Sequence, residues 1–169
     1  MPTVIVNNKP VEIGASERLN CIQAAERAGV EIPHYCYHHD LSVVASCRIC
    51  LVEMGDKKPD GTIAMQPKLF PGCQTPVKDG TVIVSDSEKV KAAQKATLEY
   101  LLLNHPLDCP VCDQAGECDL QDLAYEHGAS GSRYEFERRT FNKIDIGDKI
   151  KLHMTRCILC YRCVKVADQ

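Results

Sequence analysis

Apolar and polar residues alternate early in this chain. Thr3-Val-Ile-Val6 and Val11-Glu-Ile13 are short β-prone runs, and Asn7-Asn-Lys-Pro10 between them is turn chemistry, so the pair reads as a hairpin. The pattern then turns helical. Ser16 is placed to cap a segment over 17–28, with Leu19, Cys21, Ile22, Ala25 and Ala28 along one face and Gly29 as its stop. Leu51-Val-Glu-Met54 reads as a strand, followed by the turn-rich insertion Lys57-Lys-Pro-Asp-Gly61 and a last short strand over Thr81–Val84. Ser85-Asp-Ser-Glu88 has capping-box spacing and predicts a helix to Leu103, with Val90, Ala93, Ala96, Leu98 and Leu101 available for packing. A further helix is expected over Asp119–His127, stopped by Gly128. Past a flexible joint at 128–132, Arg133–Phe141 and Lys149–Met154 read as extended segments around a turn at Ile146–Asp148. The expectation is an α+β chain in three units, 1–84, 85–128 and 129–169.

The cysteines change the picture. There are eleven, an odd number that disfavours a closed disulfide framework, and all but one fall into groups. Cys36, Cys47, Cys50 and Cys73 form the first, with Cys47-Arg-Ile-Cys50 leading straight into the strand at Leu51. Such a loop suits a metal site at the edge of a sheet. Cys73 is the least certain of the four by spacing. His105, Cys109, Cys112 and Cys118 form the second. Thiolates select zinc, copper(I) or iron–sulfur clusters, and imidazole can complete such a set. Pro106 and Pro110 keep that loop extended, and Gly116 lets the backbone wrap closely. On spacing alone a structural zinc site and an iron–sulfur site stand about equal. Cys157, Cys160 and Cys163, at two-residue gaps, are the opening of a [4Fe–4S] loop. Cys21 is left over; its place on an amphipathic helix makes it a core residue.

Composition excludes more than it assigns. A net charge of −3 argues against nucleic-acid binding, and the basic runs Arg138-Arg139 and Lys89/Lys91/Lys95 read as solvated faces. The N-terminal residues lack the pattern of a signal peptide, and no apolar run is long enough to span a bilayer directly. With no Trp and 5% aromatics, the core is short of large anchors, which fits small units stapled by metal. Neither a Gly-rich dinucleotide fingerprint nor a nucleophile–base pair is present. His34, His38 and His39 read as loop histidines, Tyr161 and Arg162 as shapers of the third thiol loop.

The wording of the second motif is specific. His105-Pro-Leu-Asp-Cys109-Pro-Val-Cys112-Asp-Gln-Ala-Gly-Glu-Cys118-Asp-Leu-Gln-Asp122 resembles the N-terminal region of the large iron–sulfur subunit of NADH:quinone oxidoreductase, respiratory complex I. Cys47-Arg-Ile-Cys50-Leu-Val-Glu and Met154-Thr-Arg-Cys157 resemble the same family. The resemblance implies a β-grasp (ubiquitin-like) [2Fe–2S] ferredoxin domain held by Cys36, Cys47, Cys50 and Cys73. A small, mainly helical [4Fe–4S] domain with ligands His105, Cys109, Cys112 and Cys118 follows. Then comes the start of a further [4Fe–4S] domain with Cys157, Cys160 and Cys163. It also implies an electron relay from a flavin/NADH-binding subunit toward quinone, coupled to proton translocation in the whole complex. The implied place is the peripheral arm, on the cytoplasmic face of the inner membrane, with NADH and quinone bound by other subunits.

Departures are few. Ala45 stands where the family has glycine, Asp148-Lys149 replace Gly-Pro, and Ala167 occupies the position of a nearby fourth cysteine. Hydrogenase and formate dehydrogenase relatives carry that cysteine, whereas in complex I the fourth ligand lies far downstream. Ala167 therefore favours complex I, and the chain is expected to be a fragment of a longer subunit. The rivals are a relay subunit of an NAD-linked hydrogenase or formate dehydrogenase, and a zinc-stapled structural module.

Overall fold

A computed structural model describes all 169 residues, Met1–Gln169. Its opening hairpin pairs β1 (Thr3–Val6) with β2 (Lys9–Glu12), in register from Thr3 opposite Glu12 to Val6 opposite Lys9. Asn7 and Asn8 both take positive φ, 43° and 66°, the turn whose twist matches the strands it joins. The second strand starts earlier than its apolar run, at Lys9, and includes Pro10. That is tolerated because β2 is an edge strand, where a missing N–H leaves no ladder bond unmade.

The five-stranded sheet runs β2-β1-β5-β3-β4, with β3 over Leu51–Lys57, β4 over Ile63–Pro71 and β5 over Thr81–Val84. Only β1 and β5 pair in parallel. The β4 strand has no counterpart in the apolar pattern, which reads this stretch as insertion and gap. Its only partner is β3, and Pro67 sits where the register between Glu53 and Gly55 slips, so edge position and bulge together accommodate a proline.

Both predicted caps of the first two helices move. The first helix, α1, is Cys21–Arg27, capped by Asn20 rather than Ser16 in a reciprocal capping box with Gln23. Residues 17–20 are withheld from it by tertiary pairing: Val77 N–H donates to Leu19 O at 2.9 Å, and Asn20 bridges to Pro76. The second helix, α2, is Glu88–Leu102, capped by Ser87, whose hydroxyl accepts from Val90 N–H at 3.2 Å. Ser85 is occupied elsewhere. It exchanges two bonds with the Asn7 amide, both at 2.9 Å, and so ties the end of β5 to the first hairpin. The predicted third helix, α3, is Asp119–His127 with Gly128 at its end.

Two apolar clusters result. The larger lies between the sheet and α1 and includes Val4, Val6, Ile22, Ala24, Val52 and Ile83, with Cys21 inside it. Burying each of these larger side chains contributes about 1.5–3 kcal/mol. The smaller joins the first thiol loop to the helices: Leu98 of α2 and Leu120 and Leu123 of α3 pack with Ile49, Cys36 and Cys47. Beyond α3, residues 133–143 form no strand. They strap across α2 instead, Arg133 pairing with Glu99 at 2.5 Å. The short hairpin β6 (Ile144–Ile146) and β7 (Ile150–Leu152) follows, then α4 (Arg162–Asp168). No helix is long and apolar enough to cross a membrane.

Candidate metal centres

The loop between α1 and β3 carries Cys36, Cys47 and Cys50, and the turn after β4 carries Cys73. All four are buried. Cys36 neighbours Cys47 and Cys73, and Cys50 neighbours Cys73, closely enough to perturb one another's ionisation. Backbone N–H groups turn inward as well: that of Cys36 donates to Cys47 Sγ at 3.4 Å, and those of Ser46 and Cys47 face the Cys36 sulfur. Two non-glycine residues in left-handed conformation produce this inward turn, Ala45 (φ 56°) and Arg48 (φ 61°). Each costs about 1–2 kcal/mol, the kind of strain that concentrates at functional sites. It also gives a physical reason for the glycine that the resemblance expects at position 45.

Ionisation is shared unequally among these thiols. Bonds donated by Cys47 and then Cys73 draw Cys36 down, and Cys73 does the same for Cys50. Cys47 and Cys73, which give those protons, are driven up. Gly72 fits the turn tightly. Its N–H donates to Cys50 O at 2.8 Å, and a Cβ there would stand 3.0 Å from that oxygen and 3.5 Å from Cys21 Cβ. Cys21 itself, buried in the core, is pushed up to about 12 by desolvation and the neighbouring Cys50.

The second group is more open. Cys109 opens a single 3-10 turn over Cys109–Val111 with Pro110 inside it, and Cys118 is the residue before α3. Cys109 is exposed, Cys112 and Cys118 half-buried. Gly116 is left-handed (φ 88°) between them. His105 follows α2, and its Nδ1 is buried without a partner. Burial, then the charge of Arg138, holds this imidazole below its usual pKa, with Asp108 opposing. A neutral ring with an orphaned nitrogen is what metal ligation requires.

In the third group, Leu159 (φ 56°) and Tyr161 (φ 63°) again bend the backbone, and Leu159 N–H donates to Cys157 Sγ at 3.4 Å. Cys157 and Cys163 are exposed, while Cys160, with Cys118, packs against the smaller apolar cluster that holds Cys36 and Cys47. All three groups thus border one apolar layer. Across the chain, no three His, Cys, Asp or Glu side chains converge as ligands of a single ion would. The first four thiols are buried neighbours that perturb one another in pairs. Soft, buried donors wrapped by N–H groups fit an iron–sulfur core.

Arginines were underread in the sequence. Arg138 is half-buried, not solvated, and donates to the carbonyls of Leu102 (2.9 Å) and His105. Arg156 places Nε and Nη2 at 3.1 and 3.0 Å from Asp108 Oδ2 and reaches Val111 O at 3.3 Å. Lys89 is likewise engaged, with Pro67 O at 2.8 Å and Glu53 at 3.4 Å. A signal existed in the sequence: Arg156 and Arg162 each adjoin a thiol of the last motif. Of the loop histidines, His34 bonds locally to Ile32 O, and His39 meets Glu26 of α1.

Fold and thiol groups together define an iron–sulfur protein of ferredoxin type. The chain belongs to the 2Fe-2S iron-sulfur cluster binding domain family, whose profile matches residues 3–88. Residues 94–133 match the NADH-ubiquinone oxidoreductase-G iron-sulfur binding region, and residues 147–169 the ferredoxin-like domain of NADH-quinone oxidoreductase subunit 3. An NADH-quinone oxidoreductase subunit of Rickettsia felis is 45% identical over 93% of the chain and 22% of its own length. The 75 kDa subunit of NADH-ubiquinone oxidoreductase from Reclinomonas americana is 41% identical over 100% of the chain and 23% of its own. The chain therefore spans about a fifth of the curated relatives it matches. A solved structure, the NAD+-reducing [NiFe]-hydrogenase in its H2-reduced state, is similar at TM-score 0.82 and 29% identity. The match covers 99% of this chain and 67% of that one.

Proposed function

We propose that this chain is an iron–sulfur electron relay of NADH:quinone oxidoreductase, passing single electrons from the flavin/NADH-binding subunit toward quinone. The observation that carries the reading is the set of four buried thiols, with backbone N–H groups turned toward the Cys36 and Cys47 sulfurs. Cys36, Cys47, Cys50 and Cys73 would hold a [2Fe–2S] cluster. His105, Cys109, Cys112 and Cys118 would hold a [4Fe–4S] cluster. Cys157, Cys160 and Cys163 would supply three ligands to a further [4Fe–4S] cluster. Such clusters, when bound, accept and release one electron at a time. The chain's own part is to fix positions, exclude water and donate N–H bonds to sulfur. The partners in this reading are the other peripheral-arm subunits, and the place is the cytoplasmic face of the inner membrane. The units 1–84, 85–128 and 129–169 would each carry one centre.

A second reading, a relay subunit of a soluble NAD-linked hydrogenase, draws on the structural likeness to the NAD+-reducing [NiFe]-hydrogenase. The NADH:quinone oxidoreductase relatives are closer in sequence, at 41–45% identity against 29%. Low-temperature EPR of the anaerobically purified, reduced chain tests the relay. One slowly relaxing signal and one fast-relaxing signal are expected. A colourless protein containing zinc and no iron would refute the reading.

A further inference from the structure

The three thiol groups come from distant parts of the chain, yet one side chain touches the surroundings of all of them. Arg162 stands between Cys160 and Cys163 at the start of α4. Its Nη1 donates to Asp119 Oδ2 at 3.2 Å, the residue after Cys118. Its Nη2 donates to Tyr37 O at 3.2 Å, the residue after Cys36. The guanidinium lies over the Tyr35 ring, 5.0 Å from its centroid. The remaining donor, Nε, is buried and has no partner within the protein.

A buried N–H left unpaired is costly, so an acceptor is called for. The Tyr35 ring beneath the guanidinium packs against the smaller apolar cluster, which contains Cys36 and Cys47 and is bordered by Cys118 and Cys160. We propose that Arg162 is a positioning residue that locks the three thiol loops into one arrangement and directs its free Nε–H and fixed positive charge at cluster sulfur. This rests on the relay reading above and deepens it. A cation there favours the reduced, more negative form of a nearby cluster, so it raises the potential; hydrogen bonds to sulfur act in the same direction. The fork matters as well as the charge. Two parallel N–H groups grip a carboxylate and a carbonyl at once, which a lysine ammonium on a flexible stem does not reproduce.

The experiment is a potentiometric titration followed by EPR, on the whole chain in its assembled complex, for Arg162→Gln and Arg162→Lys. For Arg162→Gln, the ratio of reduced to oxidised cluster at a fixed applied potential is expected to fall about tenfold, which is about 59 mV for a one-electron couple. At least one of the clusters bordering the layer is expected to show it. Arg162→Lys is expected to keep that ratio within about twofold while weakening the spin–spin broadening between clusters, because charge survives and the two-point grip does not. Unchanged potentials in a cluster-loaded Arg162→Gln protein would overturn the proposal. If Arg162→Gln fails to assemble, Arg162→Lys decides: clusters retained near native potential support the assignment, and their loss overturns it. Native protein without iron–sulfur signals would instead sink the relay reading itself, before the arginine is tested.

Discussion

Leu98→Ala tests whether the helical part and the first thiol loop share one apolar layer. Leu98 is fully buried, and its neighbours come from two sides: Cys36, Cys47 and Ile49 on the first loop, Leu120 and Leu123 on α3. Truncating a buried leucine costs about 2–5 kcal/mol, the upper part of the range applying where the cavity cannot collapse. Here one wall is rigid, because the loop is pinned by left-handed residues and inward N–H bonds. The other wall is α3, which has only two buried side chains and can shift. A loss of roughly 3 kcal/mol follows, between the two limits. With a urea m-value of about 2 kcal/mol/M, the midpoint falls by about 1.5 M. The assay is urea unfolding followed by far-UV circular dichroism, with visible circular dichroism reporting the first site. Tyr100→Ala, at a position 77% exposed on the same helix, is the control and is expected to stay within about 0.5 kcal/mol. A Leu98→Ala midpoint indistinguishable from that control would refute the shared layer.

Gly72→Ala is expected to destabilise by about 1–3 kcal/mol, the cost of overpacking, because the new Cβ would stand 3.0 Å from the Cys50 carbonyl that Gly72 N–H already bonds. Thermal melting checks the loss, and a shifted visible circular dichroism band would locate it at the first site. Cys21 is expected to resist iodoacetamide at pH 8 in the native chain and to react after unfolding, as peptide mass mapping would show. Its native pKa of about 12 lies above its ordinary 9.0, so its protonated burial stabilises the fold fully below pH 9 and loses that contribution as pH rises toward 12. Cys21→Ala is expected to flatten that part of the stability profile; an unchanged slope would reject the assignment.

The elements were more legible in the sequence than their joints. Cys36, Cys47, Cys50 and Cys73, grouped by spacing, are all buried, and the β-prone runs at 3–6, 51–54 and 81–84 became strands because short apolar runs are a local signal. The caps at Ser16 and Ser85 were wrong for a non-local reason. A helix begins only where tertiary pairing releases the chain, and a serine engaged elsewhere does not cap it. Leu19 and Asn20 are held by Val77 and Pro76, and Ser85 by Asn7, partners far away along the chain. Strand β4 was illegible because its residues are mostly exposed or half-buried and include prolines, so no apolar alternation marks it. The arginine contacts were illegible for a similar reason. Nothing in a run such as Arg138-Arg139 tells which guanidinium meets a helix end.

The three thiol groups differ in how far the protein itself prepares them. The first lies between the two apolar clusters, Cys50 and Cys73 in the larger and Cys36 and Cys47 in the smaller, with its sulfurs buried and a backbone N–H already on Cys47 Sγ. The second and third rest on single turns and short helices, with Cys109, Cys157 and Cys163 exposed. Apolar burial alone gives such short elements little stability, since isolated helices of this length are marginal in water. What holds them is Arg138 on the end of α2, Arg156 on the Cys109 turn and Arg162 on α3 and the first loop, each reaching from the segment after residue 128 back to an earlier one. Exposed ion pairs contribute little singly, so their value lies in the bonds to backbone carbonyls and in linking loops that carry ligands. On the relay reading, cluster binding to such loops would be coupled to their folding. The first thiol group is held by the fold itself, whereas the later two rest on these side-chain links between segments.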